Sequence, residues 1–303
     1  MMLKIRRWGK NPLLGPNPDL YWGRDEARNP GVVFDGKRFH MVFTASSDLK
    51  RDGDMVLGYA SSADGINFTC APEPFLRPSA VFDDFDHGTV EDCRITELDG
   101  RYYVAYAGRS LKISDYAAGK RRKGPNGSMS PTWADNYRRV GLAVTDDWRT
   151  VERLGPLTSE HLSDANVALF PEKVNGKYAF LHRPTSAIPW TLPLIYNPAA
   201  IWLAFTDELK PFASERREMP WNMVDGVDIP DDHMLIAPRY PWEALKIGGS
   251  GVPIPTDYGW LMFYHAVDRQ GVYRVGLLLL DRADPRRVLA RSRRSPASSP
   301  RSP

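Results

Sequence analysis

Short apolar runs, each interrupted by a polar turn ending in glycine and resumed as an alternating aromatic-rich run, recur along this chain. The pattern reads GVVFDGKRFHMVFTAS from Gly31, CRITELDGRYYVAYAG from Cys93, ALFPEKVNGKYAFLHRP from Ala168 and GVPIPTDYGWLMFYHAV from Gly251. Alternation with period two predicts strands, since successive side chains of a strand face opposite sides. Asp35-Gly36, Asp99-Gly100 and Asn175-Gly176 are strong signals for two-residue hairpin turns, whose central positions both take positive φ. Tyr258-Gly259 is a weaker version of the same turn. A second element follows each hairpin: LGYASSADGINF, VGLAVTDDWRTV, IWLAFTDELKPF and VGLLLLDRADPRRV, each an apolar strand leading into an acidic turn.

The turn glycines Gly36, Gly100, Gly176 and Gly259 fall about 64 to 83 residues apart. A unit of that length holding three or four antiparallel strands matches one blade of a β-propeller. An all-β sandwich with coincidental hairpins competes, but the recurrence of both elements in the same order argues against it. No long stretch shows a helical period. The expected organisation is one propeller domain over residues 1–290 with four recognisable repeats, followed by a low-complexity Arg/Ser/Pro tail at 291–303 that is expected to be disordered.

Composition agrees with a globular β protein: 42% hydrophobic and 25% charged, with nine Trp, thirteen Tyr and twelve Phe. The net charge of +3 is too small to imply a nucleic-acid partner, and no basic stripe interleaved with aromatics appears. Cys70 and Cys93, the two cysteines, have no metal-ligand spacing, so no metal site is expected. MMLKIRRWGKNPLLGP lacks the apolar run of a signal peptide, and no segment approaches the ~20 apolar residues of a membrane span. The expectation is a cytoplasmic enzyme with no membrane partner.

Equivalent positions of propeller repeats converge on the central axis, so residues flanking the first two strands of each repeat are candidates for a shared pocket. Before each first strand lie Asn29-Pro30, Glu91-Asp92, Asn166 and Lys246; at the ends of the second strands lie Thr44, Tyr106 to Gly108, Arg183 and His265. Singly each has a structural reading: Asp92 caps a turn, Arg183 pairs with a surface carboxylate, His265 is a satisfied core histidine. Their matching phase favours function.

At these residues the sequence resembles glycoside hydrolase family 130, the inverting β-mannoside phosphorylases and related β-mannosidases. The motifs are VEDCRI, ALFPEKVNGKYAFLHRP, WEALKIGGSGVPIPTDYGWLMFYHAVD and YRVGLLLLDRADPRRVLARS. The resemblance runs from about residue 28 to residue 292. It implies a five-bladed β-propeller, here expected to lack its C-terminal blade, because the Arg/Ser/Pro tail stands where a fifth blade would begin. It also implies Asp92 as the single catalytic acid, protonated at working pH through burial or the nearby charge of Glu91. Arg183, Lys246 and His265 match positions that hold inorganic phosphate, the nucleophile and co-substrate, with no other cofactor. Asn29, Glu91, Arg94 and Asn166 are assigned to the β-mannoside substrate, and homo-oligomerisation is left open.

Three departures matter. Ala165-Asn166 stands where many phosphorylases of the family carry a base followed by Asp. Thr44 replaces an Arg of the well-studied branch. The segment from Tyr116 to Arg139 is a long insertion, one of whose bases is a candidate substitute cation. Since three of four basic positions remain, phosphorolysis is preferred over two alternatives, an inverting β-mannosidase and a non-catalytic carbohydrate-binding propeller.

Overall fold

The computed structural model describes residues 8–47, 55–160, 163–184, 199–209, 232–295 and 297–298. The architecture is all-β, and each sequence repeat builds one blade-like antiparallel sheet, four in number. The first sheet runs β1 (Glu26–Phe34), β2 (Phe39–Ser46), β3 (Val56–Ser62) and β4 (Thr69–Cys70) in that order. The second repeats the order with β5 (Thr89–Leu98), β6 (Arg101–Arg109), β7 (Arg139–Thr145) and β8 (Glu152–Pro156). In the third, β9 (Ala168–Leu169), β10 (Tyr178–His182), β11 (Ile201–Thr206) and β12 (Asp232–Ile236) follow suit.

The fourth sheet is larger. β13 (Lys246–Gly249) and β14 (Ile254–Thr256) both pair with β15 (Gly259–Val267), β15 pairs with β16 (Tyr273–Leu280), and β16 carries β17 (Val288–Arg291) and β18 (Ala297–Ser298). Four blades, not the family's five, are present among the described residues. Strand pairing also continues past residue 290. β17 covers only Leu278 to Leu280 of β16, and Ala297 and Ser298 pair with Val275 and Arg274, where the rest of that strand edge offers unpaired N–H and C=O groups. Residues 296 and 299–303 of the tail, residues 1–7, and Lys210, Pro211 and Phe212 of the third outer element lie outside the described residues. The chain divides into two compact units: Gly9–Ala165 carries the first two sheets, and Asn166–Leu209 with the described residues from Asp232 onward carries the other two.

Two of the expected turns form as read: Asp99-Gly100 at φ 52° and 76°, and Asn175-Gly176 at 51° and 80°. Two differ. Phe34 pairs with Phe39, so the first loop spans Asp35 to Arg38, and Asp35 Oδ1 accepts from the amides of Lys37 and Arg38 at 2.7 Å each. A side chain that bonds its own loop stabilises a longer connection. In the fourth hairpin Thr256 pairs with Gly259, placing the turn on Asp257-Tyr258 and Gly259 at the start of β15.

The acidic turns of the outer element share one device. Asp64 Oδ1 accepts from Ile66 and Asn67 amides at 2.8 Å, Asp147 Oδ1 from Arg149 and Thr150 at 2.8 Å, and Asp281 Oδ1 from Ala283 and Asp284 at 2.9 and 3.0 Å. Bonds from Thr150 and Arg149 pull the Asp147 carboxyl down to about 2, because they favour its charged form.

A second device recurs across the middle strands. Phe43, Tyr106 and Tyr264 each face a glycine, Gly58, Gly141 and Gly276, on the next strand. A Cβ at these glycines would meet the facing ring at 2.8, 2.7 and 2.2 Å, so only glycine lets the strands close. In the third sheet His182 faces Trp202 instead. Tyr106 and Tyr264 also anchor buried acids: Tyr106 donates to Asp86 and Tyr264 to Glu243, both at 2.8 Å. Each acid is closed by an arginine of an outer strand, Arg153 at 3.2 Å and Arg291 at 2.7 Å. Burial pushes the Asp86 carboxyl up and the Tyr264 phenol up to about 12, so Tyr264 stays a donor.

The helices among the described residues are short: α1 (Ile113–Ala117) and α2 (Pro131–Ala134), with single turns at Pro125–Gly127 and Pro241–Glu243. None is long and apolar enough to cross a membrane. α2 lies inside the expected insertion and α1 overlaps its start; the insertion is anchored by Trp133 Nε1 donating to Glu160 at 2.8 Å and Asn136 accepting from the Leu111 amide at 2.9 Å.

Candidate functional site

Asn29 and Asp92 do not precede their strands, as expected from sequence, but sit in bulges within them. Between Arg28↔Thr44 and Gly31↔Val42, two residues of β1 face one of β2; between Glu91↔Ala107 and Arg94↔Ala105, two of β5 face one of β6. The bulge residues Asn29 and Asp92 have φ of 51° and 57°, and Asn166, just before β9, has 59°. Asn and Asp tolerate this left-handed region better than other side chains, because their short polar groups bond locally. A bulge re-aims the side chain it carries, and such backbone strain gathers at functional positions. Lys246 does not share this phase. Gly248 faces His265 as Glu91 faces Ala107, so the counterpart of Asp92 is Gly249 and Lys246 lies three residues ahead of it.

In the first unit the structure brings Asn29, Glu91, Asp92 and Arg94 together. Thr44 Oγ1 accepts from the Asp92 amide at 2.9 Å, fixing the bulge, and Asn29 Nδ2 donates to Asp92 Oδ1. Arg28 Nη1 lies 3.7 Å from Asp92 Oδ1, and Arg138 Nη1 lies 3.7 Å from Oδ2. Glu91 is not a bare charge beside the acid: Arg28 and Arg109 hold it at 3.3 and 3.5 Å. Burial alone would lower the Arg28 guanidinium, but Glu26, Glu91 and Asp92 outweigh it and raise it. Arg94 is turned to the main chain, its Nη1 donating to the carbonyls of Asp92 and Cys93 at 2.9 and 3.1 Å, and burial lowers its pKa. It braces the bulge that presents the acid.

In the second unit Asn166, Arg183 and His265 converge over the α-carbon of Gly248. A Cβ there would stand 2.6 Å from Asn166 Oδ1, 2.7 Å from His265 Cε1 and 2.9 Å from Arg183 Nη1. Arg183 Nη1 donates to His265 Nε2 at 3.2 Å, which leaves the ring proton on Nδ1, 3.4 Å from Ser250 Oγ. Asn166 Oδ1 is buried and has no hydrogen-bond donor among the described residues. Lys246 joins through Tyr273, whose ring lies 5.2 Å from the Lys246 ammonium and 6.0 Å from the His265 ring. Arg28, Arg109, Arg138, Gly248, Ser250 and Tyr273 were not singled out from sequence. The repeat itself could have found Tyr273, since it stands at the start of a third strand beside the phased residues. Among the described residues no group of three or more His, Cys, Asp or Glu side chains could hold a metal ion.

A family model described as beta-1,4-mannooligosaccharide phosphorylase matches residues 24–300. A 1,2-beta-oligomannan phosphorylase of Thermoanaerobacter sp. is 32% identical, covering 96% of this chain and 81% of that protein. A beta-1,2-mannobiose phosphorylase of the same organism is 30% identical over 96% of this chain and 82% of its own. Among solved structures, a beta-1,2-mannobiose phosphorylase from Listeria innocua, in complex with beta-1,2-mannobiose, shares the fold with a TM-score of 0.69. That likeness comes at 22% identity, over 95% of this chain and 82% of the other. The chain belongs to glycoside hydrolase family 130.

Proposed function

We propose that this protein catalyses inverting phosphorolysis of a β-mannoside, a mannooligosaccharide or mannosyl-glucose, yielding α-D-mannose 1-phosphate. Supporting this reading are the phosphorylase relatives and, above all, the Arg183–His265 pair held at 3.2 Å over Gly248. A planar guanidinium so placed can donate to phosphate oxygens through the N–H groups not given to His265, the imidazole can add its Nδ1–H, and the Lys246 ammonium adds charge. Asp92 is the general acid: it delivers a proton to the departing glycosidic oxygen by way of the mannosyl 3-hydroxyl, while a phosphate oxygen forms the new bond to the anomeric carbon. Because phosphate is the nucleophile, no enzymic base or other cofactor is needed. Asn29 and Asn166 take sugar hydroxyls, Asn166 through its undonated Oδ1, while Glu91 and Arg94 hold the bulge and its cations. A cytoplasmic location suits a phosphorylase, which draws on the internal phosphate pool.

The test is release of mannose and mannose 1-phosphate from β-1,2- and β-1,4-mannobiose, with and without inorganic phosphate. Mannose 1-phosphate formed only when phosphate is present supports the assignment; sugar release indifferent to phosphate would replace it with hydrolysis, and no turnover of any β-mannoside with a binding module.

Gly248→Ala disturbs the anion cluster and Asn166 together. The added methyl must displace Asn166, His265 or Arg183, a local overpacking worth about 1–3 kcal/mol. The expected result is a KM for phosphate raised roughly tenfold through Arg183 and His265, with the KM for the mannoside raised as well through Asn166. Steady-state kinetics with each substrate varied in turn reads the two effects.

A further inference from the structure

Strand alternation sets three residues of β13 and its continuation in a row on one face of the fourth sheet. Gly248 faces His265 and Gly249 faces Tyr264, and the register holds one step further, where the Ser250 amide donates to the Phe263 carbonyl at 3.0 Å. Side chains two apart share a face. Lys246, Gly248 and Ser250 therefore line the side that carries His265, while Ile247 is buried in the core. Gly248 is the open floor on which Asn166, Arg183 and His265 converge. Lys246 stands at one end of that floor and Ser250 at the other.

The hydrogen bonds give the Ser250 hydroxyl a direction. Arginine only donates, so the 3.2 Å contact from Arg183 Nη1 makes His265 Nε2 an acceptor and puts the ring proton on Nδ1. Nδ1–H is directed at Ser250 Oγ, 3.4 Å away, which accepts through a lone pair and keeps its own proton to give. That proton has no acceptor among the described residues. Linked in series, guanidinium, imidazole and hydroxyl polarise one another toward the last member. The 3.4 Å contact is also long for a hydrogen bond, so the N–H and the O–H can turn to a common acceptor, an oxygen about 2.8 Å from each. Ser250 is half-buried, which leaves such an acceptor a way in.

The chemistry of the surroundings selects the ligand. Guanidinium, ammonium, imidazole N–H and hydroxyl all donate here, and a phosphate oxygen accepts without having a proton to place. A sugar hydroxyl must also give its proton away, and Asn166 Oδ1, at the far side of the Arg183–His265 pair, is the acceptor that suits it. We propose that Ser250 is a ligand of the phosphate co-substrate, its hydroxyl donating to the oxygen that also takes His265 Nδ1–H. The proposal rests on the phosphorylase reading and adds a neutral donor to its anion site. The competing role is positional: a hydroxyl that only steadies the imidazole has no effect once the imidazole is gone.

Steady-state phosphorolysis by the full chain at saturating mannobiose, read as kcat/KM for inorganic phosphate, tests it and needs no saturation with phosphate. Ser250→Ala should lower that value about tenfold, the lower end for a hydrogen bond to a charged group, with kcat/KM for the mannobiose little changed. Ser250→Thr, which keeps the hydroxyl, should recover most of the loss. Ser250→Gly removes the same hydroxyl and serves where the alanine variant does not fold. His265→Gln supplies the background that separates ligand from support: adding Ser250→Ala to it should lower kcat/KM for phosphate several-fold further. An unchanged value in a folded Ser250→Ala or Ser250→Gly variant, or a loss that vanishes in the His265→Gln background, would overturn the proposal and leave the phosphorylase reading in place. A parent chain without phosphate-dependent turnover would overturn both.

Discussion

Asp92→Asn is expected to lower phosphorolytic turnover by about 10²- to 10⁴-fold, the span usually lost with a general acid, while the chain stays folded. The substitution is chosen for what it keeps. Asparagine tolerates a φ of 57° as well as aspartate does, so the bulge in β5 is retained. The bond to Thr44 comes from the main-chain amide, and the carbonyl that replaces Oδ1 still accepts from Asn29. What disappears is the transferable proton and the charge facing Arg28 and Arg138. Release of mannose 1-phosphate, measured beside the thermal midpoint, separates chemistry from folding. Turnover within a few-fold of the parent, in a folded variant, would show that another group donates the proton. An Asp92→Ala variant is less informative, because alanine at that φ strains the strand that carries Glu91 and Arg94 as well.

Two of the hairpin turns, the acidic turns and the shared phase of Arg183 and His265 were legible in the sequence because each depends on local or repeated signals. Asp99-Gly100 and Asn175-Gly176 need only their own φ angles. Asp147 needs only the amides two and three residues on. Arg183 and His265 were legible as a pair through phase, since each follows the strand residue opposite a third-strand partner, Trp202 and Gly276. What escaped depends on distant partners. The approach of Arg28 to Glu91 and that of Arg138 to Asp92 involve side chains far apart in sequence, and no spacing rule encodes them. Arg94 was assigned to the substrate through the family resemblance, yet its Nη1 donates to the main-chain carbonyls of Asp92 and Cys93. The fourth turn was misplaced by one residue because Gly259 was taken as a turn glycine; its place is instead in β15, where a Cβ would stand 2.1 Å from the Leu280 carbonyl oxygen.

Glu243→Ala is expected to cost about 3–5 kcal/mol of stability, the scale for breaking a fully buried charge pair and stranding its partner. Glu243 is wholly buried and accepts from the amides of Arg239 and Tyr240 at 2.7 and 3.0 Å, from the Tyr264 hydroxyl at 2.8 Å and from Arg291 at 2.7 Å. Removing it leaves the Arg291 guanidinium, the Tyr264 hydroxyl and two amides inside the fourth sheet without that acceptor. Urea denaturation of the parent, Glu243→Ala, Arg291→Met and the double variant forms the cycle that measures the coupling. The double variant should be more stable than Glu243→Ala, since it no longer buries an unpaired cation; additive losses would mean that Glu243 acts through the amides alone. The effect should reach the site as well. Tyr264 adjoins His265 in β15 and is packed against Gly276, so a phenol released from Glu243 loosens the strand that sets the imidazole beside Arg183. Phosphate affinity in Glu243→Gln, which keeps the shape and loses the charge, should therefore fall in step with its stability.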